Sequence, residues 1–294
     1  MITLTAGEAK VQIVPQMGAG LAGLWAHNLP VLRPWSGRET DGPFALACNL
    51  LVPFSNRISG GFSFDGQHHA MTPNLSGEPY PIHGDGFRRA WALRDCSPTH
   101  ADLVLQDGAI GPFLYTAQVH YNLTADSLET RLSVTNEGSS RLPFGLGLHP
   151  WFPRDAATRL RFAANGHWPE TPDHLPATLE AVPAVQGGPW HDPAPLPDGW
   201  INTGFSGWDG CAQISQGPMA ASVSLTASGL GTALLYSPSA RADFFCFEPI
   251  SHPVDAHNLP GQPGLQVLAP GADLNVSMTL TWGPYLTPPQ DAKE

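Results

Sequence analysis

Alternation of apolar and polar residues is the clearest pattern along the chain. Residues 128–135, LETRLSVT, place Leu, Thr, Leu and Val on one face and Glu, Arg, Ser and Thr on the other. Residues 274–282, LNVSMTLTW, alternate in the same way. Because successive residues of a strand point to opposite faces, each segment predicts a strand with one buried and one solvated face.

Shorter apolar or alternating runs, separated by turn residues, predict further strands at 10–14, 21–26, 89–94, 101–106, 113–123, 221–227, 232–237 and 243–248. Gly and Pro contribute 31 residues each, which favours frequent turns over long helices. Many short strands without intervening amphipathic helices are typical of an antiparallel sandwich or barrel. We therefore expect one all-β domain over residues 1–294, with a Pro-rich excursion at about 165–199 and a frayed tail at 284–294.

The net charge of the chain and the length of its apolar runs indicate which kinds of partner the protein could bind. The formal net charge is −11 and only 13% of residues are charged. Binding to nucleic acid relies on clustered Lys and Arg, so the composition argues against it and favours a neutral partner. The first ten residues lack a basic leader with an apolar stretch, and no apolar run reaches 18 residues. The sequence thus predicts a cytoplasmic protein that does not bind membranes.

Metal and cofactor motifs are weak or missing. The histidine-rich segments, His68-His69 and the group His252, Asp255 and His257, lack an HExxH or a Cys/His spacing. No Walker loop or GxGxxG follows a strand and opens a helix. We therefore expect neither a metal nor a cofactor. The cysteines lack a CxxC pair and are predicted to be free: Cys48, Cys96, Cys211 and Cys246.

A carboxylate closes one of the apolar runs. Glu248 follows FFCF at 244–247 and precedes Pro249, which predicts a buried strand that ends at the glutamate. Burial beside aromatic rings would raise the pKa of this carboxyl group toward neutrality, as suits a general base. Acidic residues at strand ends also cap turns or pair with arginine, so its position alone leaves both interpretations open.

Three other polar residues stand in apolar or glycine-rich segments. Arg57 offers a planar fork of donors for sugar hydroxyls or a carboxylate, or else forms a structural ion pair. His83 precedes a Gly-Asp-Gly turn, and His149 ends the run GLGLH. Either imidazole could exchange a proton near neutral pH or be a hydrogen-bonded core residue. Trp151 follows His149 closely and could form one wall of a sugar site.

Four segments in this order, NRISGGFSFDG, IHGDG, GLGLHPWF and FFCFEP, resemble those of the aldose 1-epimerase, or galactose mutarotase-like, family. LAPG at 268–271, before the last alternating strand, is similar to the C-terminal pattern of that family. The resemblance extends over most of the chain. It implies a large antiparallel β-sandwich, the galactose mutarotase-like supersandwich, which opens and recloses a cyclic sugar at its anomeric carbon without a cofactor.

The resemblance also implies roles for the residues. Glu248 would take the proton of the anomeric hydroxyl while His149 protonates the ring oxygen, and rotation before reclosure gives the other anomer. Arg57 and His83 would orient the sugar. The expected protein is an aldose 1-epimerase (mutarotase) of a free aldose, acting as a monomer or homodimer. The alternatives are a non-catalytic carbohydrate-binding or regulatory protein, or a hexose-6-phosphate mutarotase.

Two positions bear on the substrate. Where the family commonly has an aspartate that binds sugar hydroxyls, this chain has Asn202, so the role falls to that amide, to Asp209, or to neither. Asp209 stands in a Trp-Asp-Gly turn, which favours a structural role. For a sugar phosphate, Arg88 and Arg89 are the candidate contacts. Adjacent arginines on a strand point to opposite faces, so at most one would reach a common pocket, and surface solvation is the simpler interpretation.

Overall fold

The computed structural model describes residues 1–38, 41–182 and 190–283. The predicted tail at 284–294 lies outside the described residues, as does part of the predicted excursion.

Short 3₁₀ helices occur at Pro43–Ala45, Gly86–Arg88 and Ala256–Asn258. The strands are β1 (Ile2–Ala6), β2 (Ala9–Val14), β3 (Gly20–Ala26), β4 (Leu29–Leu32), β5 (Cys48–Leu51), β6 (Phe62–Phe64), β7 (Gln67–His69), β8 (Ala92–Cys96), β9 (His100–Ile110), β10 (Phe113–Leu123), β11 (Ser127–Asn136), β12 (Leu142–Phe144), β13 (Gly147–Pro153), β14 (Arg159–Phe162), β15 (Gly166–Trp168), β16 (Glu180–Ala181), β17 (Ile201–Ser206), β18 (Cys211–Ser215), β19 (Val223–Ser228), β20 (Thr232–Ser237), β21 (Phe244–Ile250), β22 (Gln266–Leu268) and β23 (Asp273–Trp282).

Two large antiparallel sheets contain most of these strands. The first has eleven strands in the order β1-β2-β3-β5-β13-β21-β20-β17-β15-β16, with β4 beside β3. The second has eight, in the order β14-β18-β19-β23-β11-β10-β9-β8. Two small two-stranded sheets, β12-β22 and β6-β7, lie outside these. The predicted all-β antiparallel fold is confirmed.

The hydrophobic core combines residues of both large sheets. The alternating residues of β11 and β23 supply one side of it, as their sequence pattern predicts. Tyr121 of β10 is fully buried, and its hydroxyl donates to the carbonyl of Ala19, 2.8 Å away. Phe245 and Phe247 of β21 enter the same core. Because side chains alternate along a strand, the residues between them point to the opposite face of the first sheet.

The structure corrects three of the predicted boundaries. Strand β21 continues through Pro249 to Ile250, so Glu248 lies within the strand and not at its end. The predicted excursion contributes two strands, β15 and β16, to the edge of the first sheet. Arg88 closes a 3₁₀ helix and Arg89 caps it, so neither is on a strand. Within the described ranges no helix has the length and apolar character needed to cross a membrane.

Candidate active site

Prolines shape the strand pair that carries the two proposed proton-transfer residues. Strands β13 and β21 are antiparallel neighbours, and their pairing is interrupted around Pro150 and Pro249. Proline has no N–H to donate to a sheet ladder. The pairing resumes in the same register beyond the interruption, which sets His149 opposite Glu248. Nε2 of the histidine is 3.3 Å from Oε1 of the glutamate.

Burial dominates the electrostatics of Glu248, whose exposure is 2%. Loss of solvation raises the pKa of its carboxyl group well above the ordinary value. The positive charge of Arg57 opposes this shift, and so does the side-chain amide of Asn56. A carboxyl group with a raised pKa is suited to exchange protons near neutral pH.

His149 is shifted in the opposite direction. Burial lowers the pKa of its imidazole to about 3, and the charge of Arg33 acts in the same sense, against an interaction with its own backbone. The ring stacks on Trp151 with centroids 5.1 Å apart, which fixes its orientation. In the free site, the neutral imidazole is therefore the favoured form.

The raised pKa of Glu248 and the lowered pKa of His149 together favour a state in which the two side chains hold one exchangeable proton. A neutral carboxyl group beside a neutral imidazole contains as many protons as a carboxylate beside an imidazolium. Transfer of one proton between Glu248 and His149 interconverts these forms without exchange with solvent. The pair thus titrates as a unit, and its apparent pKa values belong to both residues.

His83 supplies a hydrogen-bond donor of fixed tautomer. The backbone N–H of Asn56 donates to its Nδ1 at 3.0 Å, so the proton of the neutral ring is on Nε2. Burial lowers the pKa of His83 well below its ordinary value, and His149 and Arg57 lower it further. The centroids of the two imidazole rings are 5.3 Å apart.

The glycine after His83 is required by the turn that presents this ring. His83 and Gly84 both have positive φ, +60° and +68°. A Cβ at position 84 would lie 1.9 Å from the carbonyl oxygen of Val52. No other residue fits there without displacing the backbone, so the Gly84 position fixes where His83 stands.

Arg57 forms the structural ion pair that was one of its two predicted alternatives. Its guanidinium forms a bidentate ion pair with Glu78, with Nε–Oε2 and Nη2–Oε1 distances of 2.8 and 2.9 Å. It also lines the same cavity as Glu248 and His83. The ion pair holds the planar fork in one orientation, and the proximity of Arg57 to Glu248 adjusts the pKa of that carboxyl group.

These residues surround a cavity of about 380 Å³. This volume lies in the range of roughly 300–1,000 Å³ that is common for small-molecule sites. Phe44, Trp151 and Tyr236 provide aromatic walls. A larger hollow, of about 830 Å³, is lined by side chains of the second sheet. Its titratable pair, His120 and Asp102, is solvent-accessible, so the smaller cavity is the better candidate for proton transfer.

A carboxylate at the rim of the cavity was not predicted from the sequence. Glu170 accepts hydrogen bonds from the Asn202 side-chain amide and, at 2.7 Å, from the indole of Trp200. Nδ1 of His174 is 2.6 Å from the same carboxylate. Asn202, Trp200 and His174 all line the cavity. Glu170 is in the Pro-rich excursion, where no local motif distinguishes it.

Asp209 does not reach this cavity. It lies in the turn between β17 and β18, where its Oδ1 accepts the N–H of Cys211 at 3.0 Å. The side chain borders a separate hollow with Arg161 and His191. The prediction that Asp209 could bind substrate is therefore corrected, because turn chemistry occupies the carboxylate. Of the two candidates for the acidic position, only Asn202 lines the site.

The two arginines considered for phosphate binding also lie elsewhere. Arg88 is exposed at the end of its 3₁₀ helix. Arg89 forms ion pairs with Asp85 and Asp107 at 2.9 and 2.8 Å. Neither residue lines the cavity.

The remaining histidines and cysteines have other roles. His252 accepts the N–H of Ser55 at 3.1 Å, and His257 bonds to the Pro143 carbonyl at 2.9 Å. The first bond supports the segment that leads into Asn56 and Arg57 of the cavity, and the second connects the 3₁₀ helix Ala256–Asn258 to β12. The cysteines are free, as predicted. Cys246 is fully buried on β21, two residues before Glu248 and on the same face of the sheet.

Comparison with known proteins gives the chain's relatives. A family model described as Aldose 1-epimerase matches residues 1–281. The uncharacterised protein YphB of Escherichia coli K12 is 36% identical over 289 residues, which cover 95% of this chain and 97% of YphB. The crystal structure of a candidate aldose 1-epimerase from the same organism has a TM-score of 0.88 at 34% identity, covering 96% of this chain and 98% of that one.

More distant structures share the fold. A galactose 1-epimerase from Lactobacillus acidophilus NCFM has a TM-score of 0.74 at 16% identity. The match covers 96% of this chain and 93% of that protein. At this identity, the likeness extends to the arrangement of strands alone.

Proposed function

The chain belongs to the aldose 1-epimerase family, and from this premise we propose that it interconverts the α and β anomers of a free aldose. The observation that carries the proposal is the buried pair of Glu248 and His149, 3.3 Å apart, with pKa values shifted in opposite directions. Such a pair holds one exchangeable proton beside a cavity of suitable size for a sugar.

In the proposed reaction, the anomeric hydroxyl of the sugar lies against Glu248 and the ring oxygen lies against His149. The shared proton first passes from the Glu248 carboxyl group to His149, and the resulting carboxylate takes the hydroxyl proton. The bond from C1 to the ring oxygen breaks, its electron pair goes to that oxygen, and the His149 imidazolium protonates it. The product is the open-chain aldehyde beside a neutral carboxyl group and a neutral imidazole. This is the form that the pKa shifts favour.

Reclosure reverses the roles. After rotation about the C1–C2 bond, the neutral imidazole takes the proton of the attacking hydroxyl and the Glu248 carboxyl group protonates the aldehyde oxygen. The Nε2–H of His83 and the guanidinium of Arg57 are placed to stabilise charge on the sugar oxygens during both steps. Trp151 would provide an apolar wall for the sugar ring.

The charges around the cavity favour a neutral sugar over a sugar phosphate. Arg57 is the one arginine or lysine among the described residues that line it, and its guanidinium is already paired with Glu78. Glu170 adds a further carboxylate at the rim. Among the described lining residues, a phosphate dianion would meet no guanidinium or ammonium group other than the one paired with Glu78.

We expect the reaction rate to fall as pH rises through the upper apparent pKa of the Glu248–His149 pair, because the pair then loses its exchangeable proton. The Arg57 charge lowers the pKa of Glu248. Arg57→Met should therefore move this alkaline limb to higher pH, in addition to weakening sugar binding. The pH dependence of kcat/KM measures the shift. A limb at the same pH in both proteins would contradict this electrostatic account.

We further propose that Glu170 positions Asn202 so that the amide oxygen accepts a sugar hydroxyl. Glu170→Ala removes three hydrogen-bonding contacts at the rim. We expect KM to rise about tenfold with kcat within a factor of two, because a lost hydrogen bond costs roughly 1–1.5 kcal/mol of binding. The exposed Glu180 provides the control variant Glu180→Ala. An unchanged KM in Glu170→Ala would contradict this role.

Polarimetry on freshly dissolved α-glucose and α-galactose tests the proposed activity. We expect the optical rotation to reach equilibrium faster with catalytic amounts of protein than in buffer for at least one of them, or for another aldose in a wider panel. Binding of these sugars without any acceleration would instead support a non-catalytic carbohydrate-binding protein.

A further inference from the structure

A third potential ligand lies beside the proposed catalytic pair. Cys246 and Glu248 are two residues apart on β21 and so project from the same face of the sheet. His149 lies opposite Glu248 on β13. One ligand atom from each of these residues lies within 4.8 Å of the others. All three side chains are buried.

The donor set suits a borderline or soft divalent cation. A thiolate, an imidazole and a carboxylate are the ligands that bind Zn²⁺ at about 2.0–2.3 Å in proteins. Ligands at tetrahedral angles around such an ion are about 3.3–3.8 Å apart by simple geometry. The 3.3 Å between His149 Nε2 and Glu248 Oε1 meets this spacing.

Two further observations point to a ligand at this place. Glu248 Oε2 is buried and has no hydrogen-bond partner among the described residues, and it belongs to the carboxyl group whose Oε1 is 3.3 Å from His149 Nε2. In addition, a thiolate and a carboxylate together balance the charge of a divalent cation, so the bound site would be neutral overall. Neutrality matters because a net charge in this environment would carry a large desolvation cost.

We propose that Cys246, His149 and Glu248 form a binding site for Zn²⁺ or a similar divalent cation. The cavity provides space for water as a fourth ligand. Occupation of the site removes both the base and the acid of the proposed reaction, so the metal acts as a reversible inhibitor. The inhibition rests on the proposed function, whereas the binding does not.

No metal-binding motif is visible in the sequence because the three ligands come from two strands that are distant along the chain. A thiol binds zinc as the thiolate, so binding releases its proton and zinc affinity should increase with pH. Sugar and metal compete for the same side chains, so excess substrate should weaken zinc binding in the wild-type protein.

Direct measurement of Zn²⁺ binding is the primary test, and it needs a protein in which a second group of potential metal ligands has been disabled. Asp95, His100 and Asp102 form another group of potential ligands at the surface. Equilibrium dialysis against Zn²⁺ should thus use His100→Ala as the reference protein. We expect it to bind one ion per chain, and we expect affinity to fall at least tenfold when Cys246→Ala or Cys246→Ser is added. Adding Cys48→Ala, at another buried cysteine of the same sheet, should leave affinity unchanged.

Cobalt provides a spectroscopic readout of the thiolate. Co²⁺ bound to the His100→Ala protein should give a thiolate-to-metal charge-transfer band that is missing in both Cys246 variants. No stoichiometric zinc binding to His100→Ala, or equal affinity with and without Cys246, would overturn the proposal. Circular dichroism of the variants checks that they are folded.

Anomer exchange then tests the consequence of binding. We expect Zn²⁺ to inhibit the wild-type protein and a chelator to restore its rate. With inhibition expressed relative to each protein's own metal-free rate, Cys246→Ser should need at least tenfold more Zn²⁺ than wild type for the same fractional inhibition. Equal inhibition of wild type and Cys246→Ser would overturn the inhibitory role. If no sugar is converted by the wild-type protein, the proposed function fails while the dialysis result still decides the metal site.

Discussion

Glu248→Gln is expected to lower kcat/KM for anomer interconversion by about 10²–10⁴-fold, the range by which general acid–base groups accelerate reactions. Glutamine keeps the size and the polarity of the buried side chain but cannot accept the proton of the anomeric hydroxyl. Sugar binding should be largely retained, so the loss should appear mainly in kcat. Initial rates over a range of sugar concentrations measure it.

The same variant should not lose its fold. Burial raises the pKa of Glu248, so the folded state favours the protonated carboxyl group. The corresponding stability is present below the pKa of an unfolded glutamate and is lost as pH rises through the raised pKa of the folded state. Glutamine does not titrate. The unfolding temperature of Glu248→Gln should therefore increase relative to wild type as pH rises through that range.

Two outcomes would contradict these expectations for Glu248. A kcat/KM within about threefold of wild type would remove this residue from the proton-transfer step. An unfolding temperature well below that of wild type at every pH would indicate that the carboxyl group stabilises the fold. Glu137→Gln, at an exposed glutamate, is the matched control for the substitution itself.

His149→Asn is expected to cause a second large loss, again about 10²–10⁴-fold in kcat/KM. The amide can form hydrogen bonds but cannot carry the proton that passes to the ring oxygen. Because the exchangeable proton is shared, the double variant with Glu248→Gln should be hardly slower than the slower single variant. Stopped-flow polarimetry on the three proteins measures this non-additivity.

The half-buried His100, which does not line the cavity, provides the control, since His100→Asn should retain the wild-type rate. Multiplicative losses in the double variant would show that His149 and Glu248 act independently. That result would contradict a pair that holds one exchangeable proton between its members.

The fold could be predicted well from the sequence because each strand shows its own alternation of apolar and polar residues, which is a local pattern. Alternation with period two identified β11 and β23, and the prediction of residues 113–123 matches β10. The end of β21 was misplaced because Pro249 normally argues against a strand interior. Here it is tolerated where the ladder with β13 is already interrupted by Pro150.

The candidate site was predicted in part. Ordered motifs identified Glu248, His149, His83 and Arg57, and the structure brings all four to one cavity. Their roles remain proposals. Glu170 and Glu78 were missed because each reaches its partner through non-local folding of an irregular segment. Cys246 was read as part of an apolar run, although alternation along β21 directs it to the face of Glu248 and away from that of Phe247.

Exchange between sugar anomers at equilibrium is the most direct measurement of the central proposal. Saturation transfer by NMR between the anomeric protons of glucose, galactose and a panel of other aldoses, with glucose 6-phosphate included, compares wild type with Glu248→Gln. We predict that wild type transfers saturation between the anomers of at least one neutral aldose faster than buffer does, and that Glu248→Gln reduces this transfer to nearly the buffer rate. A wild-type rate equal to that of buffer for every sugar would contradict the proposal.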